Sequence, residues 1–577
     1  MYSPVPAGRR GPSGRASTAA IVIFWILLVI AALFAVGAFI VSLVNVDRED
    51  ADECIPLYGP GATLAHGCYY FAQSITCTVA GGVCFTVDDS VWLDLRGQSL
   101  HVTANDTTAF EVGSSSFIVS NGLVYTDGPA NAVTSIAFNI SSSTNVRLEK
   151  VTIANFYRPV NFVYSSGLTI EDCEVSGANQ INWDDFNNCA VYILGSNATA
   201  IRRSFFYDNN VRGVLPQDYR QYASHGIQTS SVDGFPSIGL VVEDSQFVDT
   251  RIRNTAFSFT AQISDITISG CTFEITDPLY DPSAIEIGDT DTVWNGTNQV
   301  DLGVVPITAV TIEDCTITNL HAHPAYDGIL VKMATGLRIS RVTIIAGNNG
   351  FAPSDGNIVS AHIHLGIGMS GIDYDEIDPW GVQGAVIEDC VLVGRPNVSD
   401  ASNDRMGIGI LVEAGSSSIL ISGNTIGGIG AGMPANPHVT GQCADGPYPA
   451  QVAAGIWVTA GASGVQIVGN SISDGSCANG AATVAADGIV VSGAITRASF
   501  CDTGVTKSFP PADQVFVSTN DVSNVCGKGI QNDGTHTSVV YNHLYYNPNG
   551  NYAGAASPTP QFIAPGAPLV GGWNLAS

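Results

Sequence analysis

VTIEDCTITN, residues 310–319, decides the fold, because variants of this ten-residue phrase return along most of the 577-residue chain. The other clear copies read LTIEDCEVSG from Leu168, LVVEDSQFVD from Leu240, ITISGCTFEI from Ile266, AVIEDCVLVG from Ala385, ILISGNTIGG from Ile419, VQIVGNSISD from Val465, VFVSTNDVSN from Val515 and SVVYNHLYYN from Ser538. Intervals between copies run from about 22 to about 50 residues. An irregular array of this kind indicates a solenoid with loop insertions.

Each copy alternates apolar and polar residues with period two, as a strand with one buried face does. A second alternating phrase often precedes a copy, for example AIEIGD from Ala284, GILVKM from Gly328, GIGILVE from Gly407, AGIWVTA from Ala454 and DGIVVSG from Asp487. The two strands of one winding lie too close in sequence to pair with each other, so we expect each to pair with its counterpart in the next winding. Parallel crossovers are nearly always right-handed. The sequence therefore predicts an all-β fold, a single-stranded right-handed parallel β-helix of about 12 windings.

The residue that follows E-D or S-G in the phrase is predicted to face inward at a turn. Its occupants are small or carry an amide: Cys173, Ser245, Cys271, Cys315, Cys390, Asn424, Asn470, Asn520 and Asn542. Stacked asparagines can bond one another and the turn backbone, which satisfies polar groups that are otherwise buried without partners. For the cysteines we expect buried thiols that fill space, although Cys271 and Cys315 are on adjacent windings and within disulfide range.

Through these repeated phrases the chain resembles the pectin-lyase-like superfamily of right-handed parallel β-helix repeat proteins. The stretch VWLDLRGQSL from Val91 looks like the phrase that many members use in their first winding. The resemblance covers roughly residues 65–547. It implies the fold, but this fold carries lyases, hydrolases, epimerases, adhesins and inert scaffolds, so it leaves the function open.

The N-terminal region predicts a membrane anchor. Residues 16–46 carry no charge, with Arg9, Arg10 and Arg15 before them and acidic residues after them. The apolar part exceeds the about 20 residues that a membrane span needs. The alternative is a cleaved signal peptide, whose apolar core is usually 7 to 15 residues. By the positive-inside tendency, residues 1–18 form a cytosolic tail, 19–46 a single transmembrane helix and signal anchor, and the remainder lies outside the cytosol or in a lumen. Further boundaries are a Cys-rich cap at 47–90, the β-helix at 91–547 and a C-terminal tail at 548–577.

Composition narrows the partners. A net charge of -29 argues against nucleic acid, which needs a basic face. Cys54, Cys68, Cys77 and Cys84 crowd the predicted cap, where disulfides would form in an oxidising compartment. Later cysteines at 443, 477, 501 and 526 could pair as well. Five glycosylation sequons fit an exported chain, at Asn105, Asn139, Asn197, Asn295 and Asn397.

Two histidine couplets are candidate metal ligands. His321 with His323 and His362 with His364 have H-x-H spacing, and alternation places the second couplet on one outer strand face. A metal site needs further ligands, which the spacing does not supply. We therefore predict surface histidines, no metal and no cofactor.

A polar stripe is predicted on the outer face of successive strands. It comprises Glu286, Lys332, His364, Glu413 and Trp457. Charged groups beside an aromatic ring suit a carbohydrate-binding groove, because sugar rings pack on indole while acids bond hydroxyls. A solvated sheet face is the alternative.

A partial resemblance to polygalacturonase-type glycoside hydrolases implies a catalytic set. Asp184 and Asp185 in WDDFNN, His225 in SHGIQTSS and Arg251 in TRIRNTAF follow the order of the family's motifs. The first carboxylate motif of the family has no counterpart here, although inverting hydrolysis needs a carboxylic acid and a second carboxylate. A lyase would use an acidic group such as Asp289 with Asp291, and Lys332 as base.

We therefore expect a membrane-anchored surface or envelope protein outside the cytoplasm that binds glycans or assembles with neighbouring copies. The alternative is an anchored enzyme that degrades an acidic polysaccharide.

Overall fold

The computed structural model describes residues 54–113, 116–127, 134–178, 189–207, 209, 225–232, 234–256, 262–276, 283–290, 292–294, 299–301, 307–319, 327–345, 361–366, 381–394, 407–430, 453–475, 485–498, 506–554, 562–563 and 574–576. Within these ranges every regular element is a strand, and all pairings are parallel except those of two short hairpins and one isolated bridge between Val232 and Phe235. The predicted all-β architecture with parallel sheets is confirmed. No helix in these ranges is long and apolar enough to cross a bilayer, and the segment 19–46, on which the anchor prediction rests, lies outside them.

The second sheet contains 16 described strands, against the about 12 windings that were predicted. Its strands are Ala62–Leu64, Val83–Val87, Thr108–Val112, Ile136–Ser141, Arg158–Val163, Cys189–Leu194, His225–Ser231, Arg251–Ala256, Ile285–Thr290, Ile329–Val331, Ile363–Leu365, Ile408–Val412, Ala454–Val458, Asp487–Val491, Ile530–Asn532 and Tyr552–Gly554.

The first sheet contains 31 described strands, in two runs that meet at the phrase's turn. They are Ile55–Leu57, Gly67–Phe71, Ile75–Cys77, Val91–Asp94, Ser99–Val102, Phe117–Thr126, Thr144–Ala154, Ser166–Glu171, Glu174–Ser176, Asn197–Arg202, Phe205–Tyr207, Ser237–Glu243, Gln246–Val248, Ile263–Ser269, Thr272–Ile275, Ile307–Glu313, Thr316–Asn319, Ala334–Ser340, Thr343–Ile345, Gln383–Glu388, Val391–Val393, Ser417–Ser422, Thr425–Ile429, Ser463–Val468, Ser471–Gly475, Phe516–Ser518, Asp521–Val525, Ser538–Val540, His543–Tyr545, Phe562–Ile563 and Asn574–Ala576. The hairpins pair Thr292–Trp294 with Gln299–Asp301 and Ile495–Ala498 with Thr506–Phe509.

A left-handed backbone turn explains why E-D or S-G recurs in the phrase. Its second residue has a left-handed conformation at each clear copy, with φ of 54° at Asp314 and 67° at Gly423, for example. Glycine adopts this region without penalty, and aspartate tolerates it better than most residues. The turn directs the following side chain inward, where apolar side chains of both sheets form one continuous core.

The predicted asparagine ladder is confirmed. Asn424, Asn470, Asn520 and Asn542 are buried, and each of the first three donates its side-chain N–H to the amide oxygen of the next at 2.9 Å. The same oxygens accept backbone N–H groups from the preceding winding at 3.0, 2.9 and 3.0 Å. The ladder therefore satisfies side-chain and turn backbone groups together.

The ladder cysteines are buried thiols. Cys173, Cys271, Cys315 and Cys390 are reduced, and each Sγ contacts backbone carbonyl oxygens of the turn. Cys271 and Cys315 do lie on adjacent windings, as their flanking threonines pair in register, but no disulfide joins them. The thiol-filler interpretation fits this arrangement.

Parallel pairing extends into both flanking segments. Gly67 pairs with Val91, so the Cys-rich segment 47–90 contributes strands to the sheets. A disulfide joins Cys77 to Cys84 there, and Cys54, Cys68 and Cys526 are also disulfide-bonded. At the other end, Tyr552–Gly554 pairs with Ile530–Asn532.

Candidate functional site

The predicted polar stripe forms two rows on the second sheet. Glu286, His364 and Trp457 occupy equivalent positions on its outer face, with leucines at that position on the two intervening strands. Lys332 and Glu413 each lie two residues after the leucine of their own winding, on the same face. The five residues of the predicted stripe therefore belong to successive windings, but they do not form one aligned row.

The stripe was predicted on an outer face, but in the described structure that face is covered, and carbohydrate binding by the stripe stays a prediction. All five side chains are buried, with at most 6% of each residue exposed. Trp457 is fully buried and its Nε1–H donates to Ser492 Oγ at 2.9 Å, so its ring face is not offered to a ligand. Period-two alternation distinguishes the two faces of a strand, but it does not reveal whether the outer face meets solvent.

Glu286 lies between two cations. Its carboxylate accepts from Arg251 Nη1 at 2.6 Å and lies 2.8 Å from Lys332 Nζ. Burial alone would raise the pKa of the Glu286 carboxyl. The positive charges of Lys332, Arg251 and Arg253 outweigh this effect and hold the pKa below its ordinary value. The carboxylate therefore stays ionised at neutral pH.

His364 lies between two carboxylates. Its Nδ1 is 3.2 Å from Asp327 Oδ2 and its Nε2 is 3.0 Å from Glu413 Oε1. Burial disfavours the charged ring, but the carboxylates of Asp327 and Glu413 raise the pKa of His364 to about 10. Asp327 also accepts the backbone N–H of Ala361 at 2.6 Å, which fixes its orientation. We call the seven residues Arg251, Arg253, Glu286, Asp327, Lys332, His364 and Glu413 the charged row.

Gln228 continues this face one strand before Arg253. The two residues pair in register, and the Gln228 side chain is fully buried. Within the part of the chain that the structure describes, neither its amide nitrogen nor its amide oxygen has a hydrogen-bond partner. A buried polar group left in this state costs about 1–3 kcal/mol. Sequence reasoning missed Gln228, although it lies three residues after His225 in the same phrase.

The predicted catalytic residues are only partly brought together. His225 and Arg251 pair in register on neighbouring strands. Asp184 and Asp185 lie outside the described residues. Arg251 is buried and bound to Glu286.

The candidate metal ligands do not form a site in the described part of the chain. His362 and His364 are both buried, which corrects the expectation of surface histidines, while His321 and His323 fall outside the described ranges. Among the described residues no group of three or more potential ligands could hold a metal ion.

The sequons differ in their surroundings. Asn105 and Asn197 are exposed. Asn139 is half-buried on the second sheet, where its amide nitrogen donates to Glu111 Oε2 at 2.8 Å. Asn295 and Asn397 lie outside the described ranges. Glycosylation stays a prediction for all five.

Comparison with known proteins gives structural likeness alone. No family model and no curated protein matches the chain. Among solved structures, tailspike protein 3 of bacteriophage CBA120 shares 10% identity at a TM-score of 0.31, over 86% of this chain and 59% of the tailspike chain. The alginate lyase AlyF-OU02, solved with G6, shares 12% identity at 0.33, over 83% of each chain. PfbA, a surface adhesin of Streptococcus pneumoniae, shares 12% at 0.29, over 81% of this chain and 83% of its own.

The chain thus spans less than two thirds of the tailspike's length. At these identities and TM-scores the likeness carries no argument beyond the parallel β-architecture, which the pairing of the described strands shows by itself.

Proposed function

We propose that this chain is a glycan-binding β-helix protein, anchored by residues 19–46 with the β-helix outside the cytoplasm, and that it recognises an acidic glycan. The observation that carries the proposal is Gln228, whose buried amide has no hydrogen-bond partner among the described residues and lies at the position equivalent to Arg253. An amide and a guanidinium side by side match a sugar that carries both hydroxyl and carboxylate groups.

The chemistry of recognition follows from these groups. A guanidinium can bind a carboxylate through two parallel hydrogen bonds, which are stronger than bonds between neutral groups. The Gln228 amide can donate to one sugar oxygen and accept from a hydroxyl. A ligand that makes these bonds removes the cost of a buried polar group left without partners, so it gains affinity from the site as built.

The charged row favours binding over catalysis. General acid–base catalysis is most efficient when the pKa of the catalytic group lies near the working pH. The pKa of Glu286 is lowered and that of His364 is raised to about 10, so both keep their charges at neutral pH. Such groups orient a ligand rather than exchange protons with it.

Burial of the charged row should slow the association of a glycan with this face. A ligand can contact Arg253 only after this face becomes accessible, because the residue is buried in the described structure. Association that needs such a change is slower than the about 10⁵ to 10⁷ M⁻¹s⁻¹ typical of rigid partners. We therefore expect slow association and slow dissociation of the glycan.

The test compares Gln228→Leu with Gln246→Leu in the full chain. Gln246 is exposed on the first sheet, so its replacement serves as the matched control. The probes are the hexamers of galacturonate, guluronate and mannuronate, with maltohexaose as a neutral reference. Gln228→Leu should weaken acidic-hexamer binding by about tenfold, which corresponds to about 1.4 kcal/mol, while the unfolding midpoint is unchanged or higher.

The higher midpoint is expected because leucine removes two buried polar atoms that no described residue hydrogen-bonds. Unchanged affinity in Gln228→Leu, or equal loss in Gln246→Leu, would refute the assignment of the site.

The register pairing of His225 with Arg251 supports a second candidate, an anchored hydrolase of acidic polysaccharides. It requires Asp184 and Asp185 to converge on the same groove. The full chain should then release reducing ends from polygalacturonate, and Asp185→Asn should abolish the release. Full activity in that variant, or none in the wild type over a polyuronate panel, would remove this candidate.

A further inference from the structure

Two aromatic rings lie together on the protein surface. Tyr164 and Phe235 have ring centroids 4.4 Å apart and planes inclined by 49°, and they are 43% and 47% exposed. Tyr164 directly follows the second-sheet strand Arg158–Val163, and Phe235 follows His225–Ser231, the strand that carries Gln228. We call this pair the aromatic platform.

Gly195, in the winding between the two rings, makes room for them. A Cβ atom added at Gly195 would lie 2.7 Å from Phe235 Cβ and 2.9 Å from Tyr164 Cδ1. Gly195 also has a left-handed φ of 54°. Any other residue would separate the rings, so the contact depends on a glycine at this position.

Tyr164 occupies a backbone conformation that suits other residues better. Its φ is 49°, and the corresponding corners of the neighbouring windings have Ser142 and Gly195 with φ of 52° and 54°. Tyrosine is strained in this region, whereas glycine and asparagine are not. The fold requires a left-handed corner, but it gains little from an exposed ring there.

Phe235 is positioned by a tight backbone turn. Val232 and Phe235 exchange backbone hydrogen bonds of 3.0 and 3.4 Å around Gly234, whose φ is 80°. The ring therefore starts from a fixed backbone position. Fixing it before binding reduces the conformational entropy that a ligand must overcome.

The size of the platform selects its ligand. An aromatic side chain buries about 150–250 Å², so two rings that are nearly half exposed offer roughly 200 Å² together. A stable protein partner needs about 800 Å² on each side, which the platform does not approach. One apolar face of a sugar ring is of matching size, and its polar edges stay in water.

From this geometry we propose that Tyr164 and Phe235 form a stacking subsite for a pyranose ring of the same glycan that contacts Gln228. The inference rests on the proposed glycan-binding function for its ligand class. Val232 lies four residues after Gln228, which is about 13 Å along an extended strand. An oligosaccharide can extend over such a separation, so a hexamer reaches both places and a dimer reaches one.

Tyr164→Asn removes the aromatic ring while keeping a residue that tolerates the left-handed backbone. Asparagine accepts the left-handed corner, so the unfolding midpoint should be unchanged or higher, while affinity for the hexamer that binds the wild type should fall roughly tenfold. A dimer of the same sugar that contacts Gln228 does not reach the platform, so its affinity should stay unchanged. Phe235→Ser removes the second ring and should have the same effect on the hexamer.

Tyr541→Asn is the matched control, because Tyr541 also has a left-handed φ of 57° and is 48% exposed. It should leave hexamer binding unaltered. The experiment uses the full chain and the five hexamers of galacturonate, guluronate, mannuronate, maltose-type and cellulose-type glucan, with the corresponding dimers.

The outcomes separate the two proposals. Hexamer binding that is unchanged in both Tyr164→Asn and Phe235→Ser overturns the stacking subsite alone. Loss in these variants with no effect of Gln228→Leu supports the subsite and overturns the Gln228 assignment. Absence of binding by the wild type to every hexamer overturns both.

Discussion

Replacing Asn470 by leucine should destabilise the chain far more than an exposed substitution does. Asn470 Oδ1 accepts the backbone N–H and the side-chain N–H of Asn424 at 3.0 and 2.9 Å. Its Nδ2 donates to the Ile421 carbonyl at 3.0 Å and to Asn520 Oδ1 at 2.9 Å. Leucine can replace none of these bonds.

The magnitude follows from the groups that lose their partners. The backbone N–H of Asn424 and the carbonyl of Ile421 lose these bonds at a buried turn, and each loss lowers the free energy of unfolding by about 1–3 kcal/mol. Burial of the leucine side chain contributes about 1.5–3 kcal/mol in the opposite direction. The extra branch in a close-packed column costs about 1–3 kcal/mol, which offsets that gain. The net loss is then about 2–6 kcal/mol.

The assay is chemical denaturation of the full chain, with hydrogen exchange to locate the effect. Exchange should accelerate at the Asn424 amide, whose acceptor is removed. Ser471→Leu alters the next residue, which is exposed, and should change stability by no more than about 0.5 kcal/mol. Asn470→Ser should lie between the two, because Ser204 and Ser245 make a comparable backbone bond of 3.2 Å. Equal stability of Asn470→Leu and Ser471→Leu would refute the ladder argument.

Three further predictions concern charge and orientation. The pKa of His364 is raised to about 10, from 6.5 for the free side chain, so the ion pairs of His364 stabilise the fold fully below about pH 6.5 and cease to do so as pH rises through about 10. His364→Gln should therefore flatten the fall of the unfolding midpoint between these pH values. An identical fall in the wild type and the variant would contradict this. Glu286→Gln leaves buried cations without their carboxylate and should cost about 3–5 kcal/mol in denaturation. Glu388→Gln, which breaks a partly exposed pair with Arg338, should cost at most about 1 kcal/mol. Similar costs would show that the charged row is not the buried network described. In sealed vesicles with the cytosolic face outward, protease should digest only residues 1–18, and digestion of the β-helix would reverse the orientation.

Repetition made the fold predictable. The phrase around Cys315 and Asn424 specifies a strand, a left-handed turn and an inward side chain at once, and each copy repeats that information. The strands near Phe117 and Ala200, and those before Val91, lack the E-D or S-G signal at their turns. The structure pairs them all the same.

The site was less predictable, because its chemistry depends on contacts between windings. Alternation placed Glu286, His364 and Trp457 on one face, and the register confirms it. It could not indicate that the face is buried, since burial of an outer face depends on segments distant in sequence. Gln228 was missed for a related reason, as a single glutamine carries no signal of a missing partner.

The ladder thiols give the protein a set of natural reporters. Burial raises the pKa of Cys173 and of Cys390 to about 11, and the reactive form of cysteine is the thiolate. A folded winding therefore protects its thiol from alkylation, and an opened winding exposes it. Because Cys173, Cys271, Cys315 and Cys390 are spaced along the axis, mass spectrometry of pulse-labelled protein can read the order in which windings open, without any introduced cysteine. In a solenoid whose repeats contact only their neighbours, that order maps how opening spreads along one dimension.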